Sequence, residues 1–85
     1  MTDSVLEQIE QLIQESYERY GAFRSTHEAI GVAMEEWSEL LDAIRSNNMT
    51  LIEMECIDLA AVLIRLARGL HQDDRTAELF ERSKK

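Results

Sequence analysis

Proline is absent from this chain, glycine occurs three times and aromatic residues make up 6% of it. So few helix breakers and turn formers point to a helical protein. A single cysteine, Cys56, excludes an internal disulfide. It lies in an apolar stretch and is expected to pack as a small buried hydrophobe. Bases are scarce as well: nine Lys and Arg face seventeen Asp and Glu, for a net charge of -8. That balance disfavours nonspecific attraction to nucleic acid backbones or anionic membranes. Long apolar runs are also missing. The longest uninterrupted one, Leu59 to Ile64, has six residues, against about 20 needed to cross a bilayer. Met1 to Gln8 lacks the basic start of a signal peptide, so a cytoplasmic location is expected.

What remains is 85 residues, 45% of them hydrophobic, which suits a single domain over 1–85. A chain of this size buries only about 60 to 65% of its unfolded surface, so self-association is expected. Three segments carry a capping-box pattern, a hydroxyl residue followed three positions later by Glu: Ser4 to Glu7, Ser25 to Glu28 and Thr50 to Glu53. Gly21 suits the end of the first helix, Ser46-Asn47-Asn48 a short turn, and Gly69 with Asp73-Asp74 the end of a third helix and the start of a fourth, about Asp74 to Arg82. The reading is all-α: a small antiparallel bundle of about four helices, completed by oligomerisation.

Helix one places Val5, Leu6, Ile9, Leu12, Ile13, Tyr17 and Tyr20 at three-and-four spacing, as a covering helix with no chemistry of its own. On helix two, Ala29, Ile30, Ala33, Met34, Trp37, Leu40, Leu41 and Ile44 fill one arc, the expected core face. Glu36 lies on its border between Val32 and Ala43, with Glu39 further round. Helix three is apolar at thirteen of the seventeen positions from Leu51 to Ala67, which marks a central helix. Glu55 and Asp58 project from it one turn apart among apolar neighbours. A carboxylate taken out of water must be protonated, paired with a base or bound to a metal. Arg65, two turns beyond Asp58, and Arg68 are the candidate ion-pair partners.

Against that pairing stands a symmetry. Glu36-Trp37-Ser38-Glu39 and Glu55-Cys56-Ile57-Asp58 each set two carboxylates one turn apart, at similar heights above the turn between the helices. Facing each other, they would gather four carboxylates into one cavity. An all-oxygen set suits Mg²⁺, or Mn²⁺, rather than zinc. His27-Glu28 is no zinc-protease motif, because position 31 is Gly.

The ExxE pair, the ExxD pair with fifteen residues between Glu39 and Glu55, and the preceding His27-Glu28-Ala29 resemble the MazG-like all-α nucleoside triphosphate pyrophosphohydrolases, over about Phe23 to Leu70 (23–70). The resemblance implies that Glu36, Glu39, Glu55 and Asp58 bind Mg²⁺. It also implies cleavage of a (deoxy)nucleoside triphosphate to monophosphate and pyrophosphate, as in nucleotide-pool housecleaning. Glu36 and Glu39 then stand as catalytic residues, Glu39 orienting the attacking water. Arg65, Trp37 and His27 are the candidate substrate-binding residues, with packing the competing role for Trp37, a surface or cap role for His27 and a salt bridge for Arg65. The family's habit of pairing implies a homodimer or homotetramer, with Val32 and Ala43 suited to the contact. Neither nucleic acid polymer nor membrane is an expected partner. The alternative is a non-catalytic helical oligomerisation or regulatory module of the same fold.

Overall fold

A computed structural model describes residues 3–72 and shows three helices and no strand among them. They are α1 (Ser4–Tyr20), α2 (Thr26–Ser46) and α3 (Met49–Gln72). The segment expected as a fourth helix, about Asp74 to Arg82, lies outside the described residues.

Side-chain oxygens next to each helix start decide where it begins. The Asp3 carboxylate accepts from the Val5 and Leu6 amides, so Asp3 caps α1 and Ser4 is already helical. Ser25 caps α2 as expected, accepting from the Glu28 amide at 3.1 Å. Glu28 reaches back one residue further than the capping box anticipates, to the Arg24 amide. Before α3 it is Asn48, not Thr50, that accepts from the amides of Thr50 and Leu51. Short Asx side chains in an extended residue fit this geometry at least as well as a hydroxyl.

Helix ends follow the same logic. Gly21, at φ 74°, ends α1 and donates to the Tyr17 carbonyl. Asn47 ends α2 in the left-handed region, at φ 59° and ψ 28°, and donates to the Ile44 carbonyl. With only Asn47 and Asn48 between them, α2 and α3 pack antiparallel. Gly69 does not end α3, which continues to Gln72.

As its all-round apolar sequence implies, α3 is central: it packs on α1 and on α2, which do not pack on each other. The α1 contact buries Ile9 and Ile13 against Ile57 and Ala61, flanked by Leu12, Tyr17, Ala60 and Ile64. Val5, Leu6 and Tyr20 of the expected covering face are exposed. The α2 side of the fold buries Ala29, Leu40 and Ala43 on α2 and Val62 on α3.

The expected core arc of α2 is therefore displaced. Ile30, Met34, Trp37 and Ile44 are about half exposed. Trp37 does not pack in the core, and Ala43, expected at a subunit contact, is buried within the fold. The arc is the most apolar side of α2, whereas the side that α2 buries carries Ala29, Leu40 and Ala43 and admits the half-buried Glu36. Cys56 is exposed rather than buried.

Candidate functional site

The two-residue turn brings the acidic pairs of α2 and α3 to the same level of the bundle. One oxygen each of Glu36, Glu39 and Glu55 lies within 4.8 Å of the others, close enough for a single ion to touch all three. Asp58 stands outside this triad, but its negative charge contributes to raising the pKa of both Glu36 and Glu55. Glu39 is exposed, while Glu36, Glu55 and Asp58 are half-buried. Oε2 of Glu36 and Oε2 of Glu55 are buried with no hydrogen-bond partner.

Packing these groups together makes charge costly. Burial above all, then the charges of Glu39 and Asp58, proton sharing with Glu39 and the charge of Glu55 push Glu36 up to about 7 from an ordinary 4.5. Glu55 is raised by burial, by proton sharing with Glu39 and by the charges of Asp58 and Glu39. Asp58 is raised by burial and then by Glu39. The influences on these three carboxyls push upward, and no arginine among the described residues relieves them.

Both expected ion-pair partners are engaged elsewhere. Arg68 binds Glu10 of α1 through two hydrogen bonds, Nη1 to Oε2 at 2.9 Å and Nη2 to Oε1. Arg65 makes no salt bridge among the described residues. Its guanidinium lies 4.2 Å from the Phe23 ring centroid and 5.5 Å from that of Tyr17, and Nη2 donates to the Gly21 carbonyl at 3.2 Å. The intrachain salt bridge considered for Arg65 is thus replaced by stacking on two aromatic rings.

Because α1 and α2 stand apart on α3, a cleft of about 760 Å³ opens between them. Glu36 and Asp58 line it, so the acidic group faces the cleft on one side. Arg65 lines it too, as do Phe23, Val32 and Glu28. Trp37 and His27 do not, although both were substrate-binding candidates. Trp37 lies on the outer side of α2, and His27 is exposed in its first turn.

Helix α1, expected to be only a cover, supplies the opposite wall through Leu12, Glu15, Ser16 and Arg19. The sequence signal was slight: Glu15 and Arg19 fall on the Glu- and Gln-bearing side of the helix, and of the polar groups only Ser16 lies among the apolar positions. The aromatic seat of Arg65 had no comparable signal, since Tyr17, Phe23 and Arg65 come from three separate segments.

The donor set fits a hard divalent cation. It is all oxygen, it converges from two helices, and it leaves two buried carboxylate oxygens without partners for which an ion would be one. Comparison of the chain with known protein families, with curated proteins and with solved structures finds no match to any of them.

Proposed function

We propose that the chain is a MazG-like, Mg²⁺-dependent pyrophosphohydrolase that converts a (deoxy)nucleoside triphosphate to its monophosphate and pyrophosphate. The observation that carries this reading is the group of half-buried carboxylates with unpartnered oxygens at the edge of an open cleft, with no salt bridge to a base among the described residues. Glu36, Glu39 and Glu55 would hold the ion, with Asp58 completing the set from the next turn of α3. Mg²⁺ or Mn²⁺ at that place supplies positive charge against which phosphate oxygens are held and transition-state charge is stabilised.

The chain's own groups account for the rest. The cleft admits a nucleotide-sized ligand alongside Glu36 and Asp58. Glu39, the one exposed acid of the four, would orient a water and accept its proton as the oxygen attacks the α phosphorus in line. The bond to the bridging oxygen between the α and β phosphorus atoms breaks, and that oxygen leaves with the pyrophosphate.

The test is pyrophosphate release across canonical and modified triphosphates, with and without Mg²⁺. Glu36→Gln and Asp58→Asn are expected to cut turnover by about a hundredfold or more while leaving the helical content unchanged. Variants that lose activity only because they unfold would count against the reading.

A second copy of the chain completes the fold in this proposal. Only eight hydrophobic residues are buried among those described, a thin core for a stable monomer. Meanwhile Ile30, Met34, Trp37, Leu41 and Ile44 follow a four-three-four-three spacing along the outer side of α2, the pattern of a helix-helix seam. The same stripe is the observation that favours the alternative, a non-catalytic oligomerisation module. Association without metal-dependent stabilisation or turnover would select it.

A further inference from the structure

We infer that Arg65 is an oxyanion receptor at the far end of the cleft from the acids, built to take the polyphosphate oxygens of the ligand. The inference rests on the pyrophosphohydrolase reading for the identity of the anion, and on Arg65 itself for everything else.

Arg65 retains 7% of its surface, and its Nε is buried without a hydrogen-bond partner. Of the five donors on a guanidinium, one makes a hydrogen bond among the described residues, to the Gly21 carbonyl. A buried cation with no counter-charge is costly. Stacking on Phe23 and Tyr17 offsets part of that cost and fixes the plane of the group, without using its hydrogen-bonding edge. Arg68 on the same helix shows the contrast, since it is exposed and has its carboxylate. Arg65 has none among the described residues, although it lines the same cleft as Asp58 and Glu36.

Position fixes the kind of anion. Arg65 follows Asp58 by seven residues, about 10 Å along the axis of α3. A ligand held by the acids and their cation at one end reaches Arg65 only if it carries a further negative group at about the length of a short polyphosphate. The cleft then has two poles, a cation-holding one and an anion-holding one, and favours ligands whose charge is spread along a chain.

The test titrates the full chain with inorganic tripolyphosphate in EDTA at mildly acidic pH. The Arg65 Nε-H resonance is followed by NMR in the wild-type protein. A saturable shift of that resonance is expected, with affinity weakened about tenfold or more in Arg65→Gln and by less in Arg65→Lys, which keeps the charge and loses the planar fork. An unmoved Nε-H signal in the wild type overturns the inference whether or not either variant folds. So does equal binding by wild type and a folded Arg65→Gln. A shifted Nε-H without pyrophosphate release from any triphosphate would leave Arg65 as an anion receptor and remove the hydrolase reading. Mg²⁺-dependent release with no shift would do the reverse.

Discussion

Glu36, Glu55 and Asp58 hold protons more tightly in the folded chain than in water, and the sign of the pH dependence follows. A carboxyl raised by burial and like charge favours the fold while protonated. Its contribution is fully present below the unfolded value, 4.5 for Glu36, and is lost as pH rises through the folded value of about 7. Glu55 and Asp58 act in the same direction. In EDTA the melting temperature is therefore expected to fall between about pH 5 and about pH 8 on account of these groups, and added Mg²⁺ to raise it more at the higher pH. Glu36→Gln, which fixes the neutral state, should flatten the EDTA profile and abolish most of the Mg²⁺ response. A wild-type profile that rises over that range would contradict the crowding of these carboxyls. The residues of this group were legible in the sequence because two carboxylates one turn apart on an apolar helix have few innocent explanations. What spacing left open was whether Arg65 and Arg68 neutralise them, since that depends on Phe23, Gly21 and Glu10, distant in sequence.

Helix boundaries show how local chemistry selects among similar signals. Asn48 accepts from two amides at the start of α3, while Thr50, which has the capping-box spacing, lies inside the helix. Asn48→Ala is expected to cost about 1 kcal/mol in urea unfolding and Thr50→Ala only a few tenths. Comparable losses at both positions would argue against Asn48 as the cap. The helices themselves and the short turn were readable because periodicity and punctuation agree over long stretches. The orientation of α2 was not. An apolar arc reveals that a helix has something to bury, but not whether the cover belongs to the same chain, and the acids on the inner side of α2 disguised it as the polar one.

At the scale of the whole molecule, the proposed self-association rests on the exposed stripe from Ile30 to Ile44. Trp37, 51% exposed, reports on it directly. Its fluorescence is expected to shift to shorter wavelength as concentration rises through the association range. Sedimentation should show Trp37→Glu as a monomer with its helices intact, because a charge at the centre of an apolar seam is strongly disfavoured. An unchanged oligomer in that variant would place the contact elsewhere.

Among the described residues, helix α1 leans on a single neighbour, α3. Its attachments are the Ile9 and Ile13 contact with Ile57 and Ala61, the Arg68 clasp on Glu10, and the seat of Arg65 near its end. None of these ties it to α2. Loss of α1 would break no contact between α2 and α3, so α1 is expected to detach first. Amide hydrogen exchange in α1 is expected to proceed through an opening that spares Leu40 and Val62, at a lower free energy than the exchange of those two residues. If both sets exchange together, the three helices open as one unit. Whatever occupies the cleft touches both walls, and it would act as a rivet across that seam, delaying the first departure rather than the last.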